Sequence, residues 1–193
     1  MSDSTSPQVQ LVQECFKEEY KNQKAIQETH SFLDCFGCGT QNPSSLGLRS
    51  HQFRIAAEHP YQGVDISYSI PLGFTLFHPR SHLAGYPGLL HGGVLALLTD
   101  CVGISTALAW ISPNFPSKLL VTSKLSISYL KPFTTQDAIL FISSLSNVVG
   151  RKLSLTVSIY QQSDNFSSLR AKVDISAVIV SKSDIPVPIH SHL

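Results

Sequence analysis

Asp100 is the only formally charged residue between Arg80 and Lys118, and it lies nine residues after His91 in a run that opens His91-Gly92-Gly93 and continues through Val94, Leu95, Ala96, Leu97, Leu98 and Thr99. A carboxylate among apolar neighbours is costly unless it is paired or put to use. The His-Gly-Gly opening suggests the use. Glycines at the start of a helix leave backbone N–H groups without intrahelical partners, and the aligned peptide dipoles favour negative charge there. Such a donor can stabilise the oxygen of an attacked carbonyl and is worth about 10²–10³ in rate. Glycine also lets a substrate approach the backbone closely. An acid able to take a proton from water, together with an oxyanion pocket, makes up the two halves of an acyl-transfer site.

The spacing constrains how those halves meet. Asp100 follows Gly92 by eight residues, roughly 12 Å along one helix at 1.5 Å per residue. It cannot serve its own helix mouth, so a second copy of the chain is required to bring an Asp100 to each Gly92. Each residue also has a plainer reading, in which His91 is a cap or core group and Asp100 a structural hydrogen-bond acceptor.

The elements that position these residues follow from patterning. Residues 92–110 are apolar nearly all round, which predicts a helix buried on every side. Strands are predicted by alternation: Val64, Ile66, Tyr68 and Ile70 on one face, Val121, Leu125, Ile127 and Tyr129 within 119–130, Leu153 to Ile159, and Leu169 to Ile179. Connections at 131–137, 149–152 and 163–168 are short enough for an antiparallel meander. One long helix and several antiparallel strands predict an α+β fold with a curved sheet wrapped around the helix and a single core. Residues 8–32 are polar with helix-like apolar spacing, so 1–33 is predicted to be a helical extension, 34–182 the domain and 183–193 a tail.

Composition narrows the function. The chain has 193 residues, a formal charge of +1 and 14% charged residues, which argues against nucleic-acid binding and for a small ligand. Residues 94–111 are long enough to span a bilayer, but a charge near its centre costs roughly 2.5–3.5 kcal/mol, so no membrane span is expected. Four cysteines and a polar start without a leader pattern predict a reducing, cytoplasmic setting, with organelle import by another route left open. Cys35 and Cys38 have the spacing of half a zinc site, yet no second Cys or His pair follows at the usual interval, so no metal is expected and the two thiols are read as packing in a turn.

Three blocks in order, Cys35-Phe36-Gly37-Cys38-Gly39 with Asn42-Pro43 and Leu46-Gly47-Leu48, then Gly85 to Asp100, then Thr122 to Pro132, resemble the hotdog-fold thioesterases. The resemblance is to the phenylacetate-pathway and thioesterase-superfamily branch, related to 4-hydroxybenzoyl-CoA thioesterases, and it spans roughly 35–181. It implies an acyl-CoA hydrolase of lipid metabolism that needs no cofactor beyond the coenzyme A of its substrate. It also implies a dimer or dimer of dimers, with sheets joined edge to edge and sites at the subunit interface. Carried over by position, Gly92 offers its N–H to the thioester carbonyl, His91 helps orient the site, Asp100 is general base or nucleophile, and Thr122 positions water. One departure stands out: members carry a substrate-contacting Asn where this chain has Gly85. The missing donor is left to His82 or water, or activity is weakened or lost.

Gly93 is a further candidate at the helix mouth, and Lys131, Arg151 and Lys152 are candidates for the nucleotide phosphates, with solvated turn residues as the plainer reading. The alternatives to hydrolysis are a hotdog hydratase or dehydratase and a non-catalytic acyl-CoA-binding protein.

Overall fold

The computed structural model describes residues 34–54, 71–111 and 118–181, and of 51–54, 71, 72 and 110 the backbone alone. The predicted extension over 1–33, the strand at 64–70 and the tail at 183–193 lie outside the described residues. Eight strands and one long helix are present among those described: β1 (His51–Arg54), β2 (Pro71–Phe77), β3 (Ala84–Tyr86), β4 (Leu89–Leu90), α1 (Gly92–Ile111), β5 (Lys118–Tyr129), β6 (Ile139–Val149), β7 (Lys152–Gln161) and β8 (Ala171–Ser181).

Six strands form one antiparallel sheet in the order β1-β2-β6-β7-β8-β5, and β3 pairs with β4 in a small separate ribbon. The α1 helix packs across β2, β5, β6, β7 and β8, which is the hotdog arrangement. Leu95, Leu98, Val102, Ala107 and Ile111 on α1 are buried against Phe141, Leu153, Leu155, Val157, Val173, Ile175 and Ala177. By length and composition α1 could cross a membrane, but its packing is that of a core helix.

Four expectations change. The meander holds for β6, β7 and β8, whereas β5 pairs with β8 and not with β6. Residues 130–138 therefore carry the chain past β7 and β8 to β6, pinned on the way by bonds from the Leu90 N–H to the Phe133 carbonyl and from the Thr135 N–H to the Gly88 carbonyl. The core is not single. Phe74, Leu140, Ile142 and Tyr160 form a second buried cluster, with Leu76, Phe166 and Leu169 packed against it. Thus β6 is buried along most of its length, Ile139 to Ser143 continuously, and shows no alternation to read. Leu169 precedes β8 and belongs to this second cluster.

The third change is on β5. A bulge between Thr122 and Lys124 shifts its alternation, so that Leu119, Leu120, Thr122, Leu125 and Ile127 are the partly buried residues while Val121 is exposed. The fourth concerns α1, which is not buried on every side by the described residues. Gly93 is exposed and Ala96, Leu97, Asp100 and Cys101 are half-buried, at the spacing of one helical stripe.

Candidate active site

The helix mouth is built by three short segments. His91 precedes α1, its N–H bonded to the Leu83 carbonyl at 3.0 Å and its own carbonyl accepting from the Val94 and Leu95 amides. Its Nδ1 accepts the Gly93 N–H at 2.9 Å, the bond of a helix cap. That bond corrects one expectation: the Gly93 amide is occupied by His91 and is not open to a ligand. The Gly92 N–H takes no hydrogen bond among the described residues, leaving it as the donor that the mouth presents.

Gly85 lies against the same cap. A Cβ added there would come 2.8 Å from His91 Cδ2 and 3.1 Å from its Cα. Glycine at this position is thus required by the close approach of β3 to His91, and a polar side chain would not fit this backbone. His82 is exposed in the short turn Ser81–Leu83, and its side chain makes no hydrogen bond to the described residues.

The acid lies farther along α1. The Thr122 hydroxyl donates to Asp100 Oδ1 at 2.5 Å, a bond to an ionisable acceptor between two half-buried residues. The bulge after Thr122 is what turns that side chain onto α1. Helix and strand run in opposite directions, so Tyr129, seven residues after Thr122, arrives at the helix mouth and donates its hydroxyl to the Gly92 carbonyl at 2.8 Å. Partial burial raises the Tyr129 pKa and favours this protonated, donating form. Alternation marks Tyr129 only as a strand residue, and spacing gives no signal of this contact, since seven strand residues span roughly 23 Å against roughly 12 Å for eight helix residues.

A cleft of about 310 Å³ opens beside Gly92, lined by Leu89, Leu90, Leu95, Tyr129, Lys131 and Phe133 among others. Its floor is apolar and Lys131 is its one ionisable amine. Arg151 and Lys152 are elsewhere, exposed at the β6–β7 turn, where Lys152 is in register with Val178 and through it with Val121. They lie at the Thr122 end of the sheet. Within one chain the residues therefore divide into two groups: Gly92, His91, Gly85, Tyr129 and Lys131 at the mouth, and Asp100, Thr122, Arg151 and Lys152 toward the other end.

The Cys35–Cys38 turn packs on α1 next to the acid. Cys35 and Cys38 meet Cys101, the three sulfur atoms lying within 4.8 Å of one another. The sequence separation of Cys101 from the pair concealed this grouping.

Residues 87–167 match the thioesterase superfamily. An uncharacterized protein of Schizosaccharomyces pombe is 38% identical over 77 residues, covering 39% of this chain and 41% of that protein. The mouse acyl-coenzyme A thioesterase THEM4 is 33% identical over 85 residues, 44% of this chain and 34% of its own length. The chain thus spans about a third to two fifths of the length of these curated relatives. Among solved structures, AziG of S. sahachiroi superposes with a TM-score of 0.53 at 18% identity, covering 70% of this chain and 93% of that one. A putative thioesterase of Lactococcus lactis gives 0.52 at 14%, covering 58% and 86%. Sheet, helix and neighbours agree on the hotdog fold, and within it residues 87–167 are similar to the thioesterase superfamily.

Proposed function

We propose that the protein is an acyl-CoA thioesterase whose site is shared between two copies of the chain. The observation that carries this reading is the separation of the two groups along α1. Eight residues of helix, about 12 Å, divide the open Gly92 amide from Asp100. A second copy, related by a two-fold axis and set on the half-exposed stripe of Gly93, Ala96, Leu97 and Asp100, brings each acid to the opposite amide. The β5 edge, with Val121 and Tyr129 exposed, is available to join the sheets.

In that arrangement Thr122 holds one oxygen of Asp100 and leaves the other to take a proton from water, or to attack directly. Addition to the thioester carbonyl places charge on its oxygen, which the Gly92 N–H receives, and collapse breaks the carbon–sulfur bond and releases coenzyme A. The apolar cleft suits an acyl chain or the pantetheine arm, and Lys131 suits a phosphate. Arg151 and Lys152 are the cations on the acid side of the shared site. The name of the mouse relative supports thioester hydrolysis. A second reading, acyl-CoA binding without turnover, is favoured by Gly85, which offers no side chain where the resemblance expects a donor.

The test is complementation. Asp100→Asn removes the base, and Gly92→Pro removes the N–H at a helix position that tolerates proline. Each variant alone should hydrolyse acyl-CoA poorly, while co-refolded chains should recover about a quarter of wild-type activity, because half of the dimers then hold one intact site. No recovery in a mixture shown to exchange subunits would count against a shared site, and wild-type binding without thiol release would favour the second reading.

A further inference from the structure

The thiol cluster beside Asp100 has no part in hydrolysis as argued above, and its geometry is that of a ligand set. Cys35 Sγ and Cys101 Sγ are 3.7 Å apart, and Cys38 Sγ lies within 4.8 Å of both. Four sulfurs around zinc at 2.3 Å define a tetrahedron with edges of about 3.8 Å. A disulfide instead needs sulfur atoms about 2.05 Å apart, so the observed pair, in S–H···S hydrogen-bond contact, has the spacing of two ligands on one metal and not of a disulfide.

The backbone around the cluster is built to hold it. The Gly39 N–H bonds to the Cys35 carbonyl at 2.7 Å, closing a tight C-x-x-C turn, and the Leu46 and Leu48 amides bond to the Phe36 and Gly37 carbonyls. Arg49 bonds to the Cys38 and Leu48 carbonyls, fixing the turn from the other side. A Cβ at Gly37 would stand 2.5 Å from Cys101 Sγ, so the absence of a side chain at 37 is what lets the turn close on the third sulfur. Cys38 is 3% exposed, and Cys35 and Cys101 keep part of their surface accessible.

We propose that Cys35, Cys38 and Cys101 form a binding site for one zinc-class cation, held by three thiolates with the fourth position left to water. Binding releases three thiol protons to solvent and leaves the water-bound centre with a net charge of −1. The metal staples the 35–48 turn to α1 at the residue after Asp100. This differs from the sequence expectation of no metal because the third ligand comes from a distant helix and not from a second Cys or His pair.

The full-length protein, reduced, stripped with a chelator and titrated anaerobically with Co²⁺, should take up one equivalent. It should develop sulfur-to-cobalt charge-transfer absorption that Zn²⁺ abolishes by displacement. Cys101→Ser and Cys38→Ser should each lose that absorption while keeping the far-ultraviolet circular dichroism of the parent. Should a variant fail to fold, the wild type decides the matter: Zn²⁺ should protect Cys35, Cys38 and Cys101 from alkylation, read by peptide mass spectrometry. Failure to bind an equivalent, an absorption that survives Cys101→Ser, alkylation indifferent to Zn²⁺, or a Cys35–Cys101 disulfide in protein whose thiols were blocked at lysis would each overturn the proposal.

Discussion

One strand, β5, supplies a hydroxyl to each of two stations on α1, and the two bonds differ in kind. At Asp100 the donor is Thr122, the acceptor is a carboxylate, the distance is 2.5 Å and both residues are half-buried. At Gly92 the donor is Tyr129, the acceptor is a backbone carbonyl, the distance is 2.8 Å and the tyrosine is exposed. Bonds to charged acceptors are stronger than neutral ones and are worth more when shielded from water. The acid is therefore fixed by its own chain, whereas the amide end is braced but open, with an apolar cleft beside it. In the proposed mechanism a single chain would finish the base and leave the oxyanion end to be completed by substrate and by another copy.

Removing the groups in turn tests that contrast. Asp100→Asn keeps the shape and the Thr122 contact but abolishes proton acceptance, and should lower kcat by about 10²–10⁴ with little change in Tm; a variant retaining more than a tenth of the wild-type rate would remove Asp100 from the chemistry. Gly92→Pro should lower kcat by about 10²–10³, with KM changed less, if its amide receives the developing charge. Equal losses in kcat and apparent affinity would instead make it a ground-state contact.

The strand hydroxyls sharpen the comparison further. Thr122→Val loses a half-buried bond to a carboxyl acceptor, worth about 1.5–3 kcal/mol, and should reduce kcat/KM by about 10–150-fold. Tyr129→Phe loses a neutral, water-exposed bond and should cost only about 2–5-fold. Should the tyrosine variant prove the more damaging in steady-state assays, the ordering of the two stations drawn here is reversed.

How much of this could be read from residue order varied with the physics. The α1 helix was legible because apolar residues fill 93–104 apart from Thr99 and one acid, and β7 and β8 were legible because each alternates along most of its length. The β6 strand carries core on both faces and has no such signature. The bulge at 123 hid the true face of β5: strict alternation places Val121 inward, while the inserted residue brings in Thr122. The pairing of β5 with β8 was out of reach for a related reason, since a short connection suggests a hairpin and only the bonds of 130–138 to the β3–β4 ribbon reveal a crossing. Among the site residues, the His91 cap on Gly93 and the pressure of Gly85 on His91 depend on distances that spacing does not encode. The grouping of Cys101 with Cys35 and Cys38 depends on which side of α1 the turn folds over.

The tight seat of Gly85 on His91 has an engineering consequence. A designer who wants an amide side chain at position 85 cannot obtain it by exchanging that residue alone, because the added carbon occupies the space of the imidazole. Pushing the two apart strains the His91 N–H bond to Leu83 and, with it, the nitrogen that seals Gly93. Exchanging His91 for a compact capping residue relieves only the imidazole contact, because the added carbon would still stand 3.1 Å from the Cα of residue 91, so β3 itself must shift before position 85 can carry an amide.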